Sequence, residues 1–94
     1  MRHRRDSTHK QIKADLEAMG FSVADTSQIG GLPDLVIGKV GRMAWVECKS
    51  PKGLLDAQAR LREGQREFAA HWRGGKVITS YTADSAVLQF NEGL

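Results

Sequence analysis

Ninety-four residues, 40% apolar and 27% charged, suit one domain with a modest core and exclude a second folded unit. That balance is not the depleted profile of a disordered chain, and no apolar run is long enough for a membrane span. Fourteen Lys/Arg against eleven Asp/Glu give a formal charge of +3, and the placement of that excess matters more than its size. Residues 1–13 hold Arg2, Arg4, Arg5, Lys10 and Lys13 with Asp6 as their one acid, and residues 39–76 hold nine basic residues against four acidic. Clustered positive charge attracts phosphate through counterion release, so nucleic acid is an expected partner. Cys48 is the single cysteine and no cleavable leader opens the chain, which points to a reducing, cytoplasmic setting. The expected organisation is one domain over residues 1–94, with residues 1–6 as a basic N-terminal arm.

In chain order, Ile12, Leu16 and Met19 recur at helical spacing, with Lys10, Lys13 and Glu17 off that stripe. This predicts an amphipathic helix over residues 8–19, with Ser7 as N-cap and Gly20 just past its end. Phe21 and Val23 alternate with Ser22 as a short strand, and residues 25–28 read as a polar loop. After Gly30, Gly31 and Pro33, residues 34–38 and 42–49 are rich in β-branched and aromatic side chains around a glycine-containing turn, which predicts a β-hairpin. Pro51 ends it. Leu61, Phe68, Ala69 and Trp72 mark one face of a second helix over residues 59–73, closed by Gly74 and Gly75. Val77 and Ile78 form a short buried strand. Asp84 then caps a last helix carrying Val87 and Leu88. The order is α-β-β-β-α-β-α, an α/β fold with a central mixed sheet flanked by helices.

The chemistry gathers on the hairpin. Side chains two apart share a strand face, so Glu47 and Lys49 point the same way, about 6.7 Å apart, and Cys48 points to the other side. A two-residue loop at Val40–Gly41 pairs 39 with 42 and sets Asp34 opposite Glu47, their Cβ atoms roughly 4.5–5.5 Å apart. Val-Gly suits the primed turns poorly, so a four-residue loop is the alternative; it keeps Asp34 on the Glu47 face as a diagonal neighbour. Two carboxylates so close either share a proton or bind a hard divalent cation, for which Mg²⁺ is the natural occupant. A metal-bound water attacking a phosphodiester, with Lys49 placing or deprotonating it, suits these residue types.

Gly31-x-Pro33-Asp34 followed by Glu47-x-Lys49 resembles the PD-(D/E)XK nuclease superfamily. With Leu61-x-x-x-Gln65-x-x-Phe68 on the next helix, the chain is similar to the virus-type replication–repair nuclease (VRR-NUC) family from Ile12 to about Leu88. The resemblance implies a restriction-endonuclease-like core and a Mg²⁺-dependent endonuclease, with Mn²⁺ as substitute. It also implies Holliday-junction-resolvase-like action on branched DNA by a homodimer of bacterial or phage type. By that carry-over Asp34 and Glu47 are metal ligands, the Cys48 backbone carbonyl is a third, Lys49 is the catalytic lysine, and Gln65 contacts Lys49 or the scissile phosphate. The family often has a glutamate on the first helix; here His9 or Gln11 stands nearest that place.

Taken singly, Pro-Asp is a turn signal and Glu-x-Lys a solvated face; their joint spacing is what is specific. Cys48 reads as a small core residue, and His3, His9 and His71 as surface histidines. Trp45 either walls the site or lies under the first helix, and Trp72 belongs to the core or a dimer interface. Arg2, Arg4, Arg5, Lys10 and Lys52 are the expected DNA contacts. Rival readings are a restriction-like or nicking enzyme on duplex DNA, and a non-catalytic DNA-binding recombination accessory protein.

Overall fold

A computed structural model describes residues 3–49 and 63–92, with side chains for residues 8–49 and 67–92. Its elements are α1 (His3–Ala18), β1 (Ser22–Asp25), β2 (Leu35–Lys39), β3 (Arg42–Cys48), α2 (Glu63–His71), β4 (Lys76–Ser80) and α3 (Ala83–Asn91). That is the succession among the described residues. The strands form one sheet, β1-β2-β3-β4, in which the first two contacts are antiparallel and β4 runs parallel to β3. The fold is α/β with a mixed sheet. Among the described residues no helix is long and apolar enough to cross a membrane.

Helix α1 starts at His3 rather than after Ser7, so residues 3–6 of the expected arm are helical and Ser7 is interior, not a cap. An interior serine costs a helix only about half a kcal/mol against alanine, too little to stop it. At the other end Gly20 takes φ +94, its N–H donates to Glu17 O at 3.0 Å and the Phe21 N–H to Leu16 O at 3.1 Å. That pair of bonds is a Schellman motif, which satisfies the last carbonyls and turns Phe21 back onto the helix's own apolar face.

One sheet face carries Leu35, Ile37, Ala44, Val46, Cys48 and Ile78, covered by Ile12 and Leu16 of α1 and Ala83, Ala86 and Phe90 of α3. Phe21 and Phe90 meet edge to face at 5.1 Å. Met19 and Leu88, expected on the packed faces, are exposed instead. Thr82, not Asp84, caps α3, its hydroxyl accepting the Ser85 N–H at 3.0 Å. Because Ala83 is buried, the helix has to begin there, which leaves Asp84 in the first turn, where the helix dipole favours an acid.

The opposite face carries Trp45, whose ring meets Phe68 at 5.1 Å and Trp72 at 5.4 Å, with Phe68 and Trp72 stacked on each other. Trp45 therefore lies under α2, not under the first helix. Ala69, expected on that helix's apolar face, is exposed. Leu61 and the expected helix start at 59–62 lie outside the described residues.

The β2–β3 hairpin closes through two residues, Val40 at φ 52 and Gly41 at φ 77, with Lys39 paired to Arg42 and Ile37 to Ala44. Both positive φ values are those of a type I′ turn, whose twist matches the strands it joins. Lys39 and Arg42, flanking the turn, fold back over the rings of Phe21 and Phe90 and donate to Met19 O and Phe90 O. The hairpin thus holds the C-terminal ends of α1 and α3, where a cation is favoured. Lys76 adds to this by donating to Gln89 O and Glu92 O.

Val40 is 88% exposed, so it gains little from packing while occupying a conformation that costs a β-branched residue about 1 kcal/mol or more. Val40→Asn, which suits this turn position, should raise stability by about 1 kcal/mol. The urea unfolding midpoint should rise with an unchanged slope; a lower midpoint would contradict the turn assignment.

Candidate active site

The candidate residues lie at the open end of the β2–β3 hairpin, away from the turn. The ladder ends at Leu35 paired with Val46, one residue short of both Asp34 and Glu47. The two-residue turn is thus the expected loop that is realised, and the four-residue alternative is not. Asp34 lies just before β2, and its Oδ2 accepts the Cys48 N–H at 3.0 Å, a side-chain bond that fastens it to the end of β3.

Alternation puts Glu47 on the Trp45 face, opposite Val46 and Cys48. Glu47 is only 7% exposed. Lys49 Nζ lies 3.6 Å from Glu47 Oε2, and both side chains are largely buried. Withdrawing two such charges from water costs more than a surface pair returns, so the placement is not explained by stability. The Lys49 backbone is fixed as well, its N–H donating to Ser80 O at 2.9 Å on β4.

Cys48 sits between these groups. Burial pushes its thiol well above the ordinary range, and the charges of Asp34, Glu47 and Asp25 push it further the same way, with Lys49 opposing. A thiol held protonated is a core residue, not a nucleophile. The carboxylates of Asp34 and Glu47 stand at this end of β3, on a chain of formal charge +3.

A polar cluster that the sequence reading missed lies at the open end of β1, beside this locus. His9, expected at the surface, is buried at 6% exposure, and its Nε2 lies 2.9 Å from Asp25 Oδ2. Asp25, expected in a loop, is the last residue of β1 and pairs with Leu35. The signals were in the sequence: His9 stands three before Ile12 and seven before Leu16, and Asp25 continues the Phe21, Val23 alternation. Burial raises the Asp25 carboxyl, but hydrogen bonds from the Ser27 hydroxyl and N–H, with His9 beside it, outweigh this and hold it at about 2. His71 is exposed, its Nδ1 3.0 Å from Glu67 O, and the His3 side chain is outside the described residues.

Gln65 belongs to α2, but its side chain, like those of Arg4 and Arg5, lies outside the described residues. Arg2 and Lys52 lie outside them altogether. Lys10 is exposed on α1, and Gln11 donates to Asp15 Oδ1 at 2.9 Å, turned to its own helix. Among the described residues no group of three or more His, Cys, Asp and Glu side chains gathers as a metal cage. No family model matches the chain, and neither a curated protein nor a solved structure does.

Because the Asp25 carboxyl lies below its ordinary 3.8 when folded, its bonds add stability above about pH 4, and that share is lost as pH falls toward about 2. Asp25→Asn removes this titration. Thermal melts followed by circular dichroism between these pH values should fall less steeply for the variant than for the parent, whereas equal slopes would contradict the assignment.

Proposed function

We propose that this chain is a metal-dependent DNA endonuclease of the PD-(D/E)XK type, with Asp34, Glu47 and Lys49 as its reaction centre. The observation that carries this reading is what meets at the end of β3: the Asp34 carboxylate accepts the Cys48 N–H at 3.0 Å, and Lys49 Nζ stands 3.6 Å from the Glu47 carboxylate. The mixed four-stranded sheet with helices, as it stands among the described residues, supports the restriction-endonuclease-like core within the α/β class.

The donor set fits a hard cation. Asp34 gives Oδ2 to the Cys48 N–H, and its Oδ1 makes no hydrogen bond among the described residues. Magnesium is commonly held by one or two carboxylates, with substrate phosphate and water completing the shell, so Asp34, Glu47 and the Cys48 carbonyl suffice without a protein cage. When bound, Mg²⁺ or Mn²⁺ supplies a water of lowered pKa and charge neutralisation at the scissile phosphate. Lys49, held by Glu47 and through its peptide by Ser80, presents its ammonium where negative charge develops on phosphorus oxygens. Gln65 is assigned the supporting contact to Lys49 or the phosphate that the family resemblance implies.

DNA is the substrate this reading names, with branched or four-way junctions preferred and a homodimer supplying two sites, after the VRR-NUC resemblance. Arg2, Arg4, Arg5, Lys10 and Lys52 serve as phosphate contacts that bring DNA to an acidic centre. A chain this small has little surface for reading bases, so shape and phosphate contacts dominate.

A panel of linear, flapped, forked and four-way DNA with Mg²⁺ or Mn²⁺ tests the reading. Cleavage should need the metal and favour the four-way junction. Asp34→Asn or Lys49→Ala should each lower it by at least about 100-fold while leaving junction binding by gel shift largely intact. Full activity in either variant would sink the assignment. Equal cutting of linear duplex and junction would move it to a restriction-like enzyme.

A further inference from the structure

Three consecutive residues, Asp25, Thr26 and Ser27, hold two parts of the chain at once. Asp25, at the exposed end of β1, meets His9, which stands on the buried stripe of α1 with Ile12 and Leu16. Ser27 donates to Asp25 Oδ1 through both its hydroxyl, at 2.6 Å, and its N–H, at 2.9 Å. Thr26, between them, faces the other way along the chain: its N–H donates to Asp34 O at 2.8 Å and its hydroxyl to Pro33 O at 2.8 Å. The loop from 26 to 34 is thereby closed on itself at its base. Asp34 is held twice, by its carbonyl from Thr26 and by its carboxylate from Cys48.

The cluster has the residue types of a serine nucleophile set, but its geometry excludes that use. One ring nitrogen, His9 Nε2, faces both Asp25 Oδ2 at 2.9 Å and Ser27 Oγ at 3.5 Å, whereas a relay needs the two ring nitrogens to face different partners. The Ser27 hydroxyl proton is already directed at Asp25. Nor is it a metal site, since both Asp25 oxygens are engaged. A leucine at position 9 would extend the apolar stripe without burying a polar ring, so what histidine adds there is a donor for Asp25.

We infer that His9 is a positioning residue for Asp34: through Asp25 and the Thr26 bonds to Pro33 and Asp34, helix α1 sets where the Asp34 carboxylate stands. The inference rests on the proposed nuclease site for its effect on activity, but the linkage itself is a property of the fold. Without the His9 donor, the partly exposed Asp25 carboxylate loses the contact that ties its Oδ2 to α1. It turns toward water, the last β1–β2 pair loosens, and Thr26 no longer fixes the residue that precedes β2.

The test compares His9→Leu, which removes the donor, with His9→Gln, whose side-chain amide restores an N–H near the same place. In the full chain with Mg²⁺ and a four-way junction, His9→Leu should lower kcat and raise the Mg²⁺ concentration needed for half-maximal rate, together by about 10–100-fold. KM for DNA should be unchanged, and His9→Gln should recover most of the loss. Amide hydrogen exchange by NMR reads the linkage independently of any activity. The Thr26 and Cys48 amides, which donate to Asp34, should exchange faster by about tenfold or more in His9→Leu and return toward the parent rate in His9→Gln. The Phe21 amide, bonded to Leu16 O at the other end of α1, should not change. Unchanged exchange at Cys48 in His9→Leu overturns the inference, and so does equal acceleration at Phe21, which would make His9 a general core residue. If the parent chain cuts no DNA, the nuclease reading fails while the exchange data still decide the role of His9.

Discussion

Side chains alternate across a strand, so a slip of one residue between β2 and β3 would put the apolar side chains of the two strands on opposite faces of the sheet. What prevents the slip is the two-residue turn at Val40–Gly41 together with the apolar pattern of the strands. Leu35, Ile37, Ala44 and Val46 can all be buried on one face only in this register. The hydrophobic effect on one side of the sheet therefore fixes the polar geometry on the other. Val40 adopts an unfavourable backbone conformation at the tip, a local cost that is small beside the burial of four core side chains.

The two faces have different chemistry. Under α1 and α3 the sheet is apolar and well covered, and the hairpin's flanking cations close the helix ends. On the Trp45 face, three aromatic rings join α2 to the sheet, and the same face carries Glu47 and Lys49 at its end. Cys48 marks the boundary: its thiol points into the core while its N–H serves Asp34. One residue thus contributes to packing through its side chain and to the placement of Asp34 through its backbone.

Much of this was legible in the sequence because it follows from period and parity. The α/β class with a mixed sheet, the two-residue hairpin and the Gly20 helix end need only alternation and the usual turn residues. What was not legible depended on tertiary partners. Ser7 and Asp84 are good caps in isolation, but α1 continues past one and the burial of Ala83 starts α3 before the other. His9 and Asp25 were assigned to surface and loop by polarity alone, although each obeys the apolar period of its own element. A polar residue at an apolar position has its partner elsewhere in the chain, and that partner is invisible to a local reading. For Gln65 the fold supplies the helix and no side-chain geometry.

The parallel strand β4 has a consequence for the order in which the molecule assembles. The β1–β2–β3 meander joins neighbours in sequence, while β4 pairs with β3 only after residues 49–75 have been looped back. Such a non-local contact bears a larger loop-closure entropy and forms later. The Lys49 peptide is bonded to Ser80 of that strand. The Lys49 backbone is therefore set by a long-range pairing, whereas the bond from the Cys48 N–H to Asp34 closes within the meander.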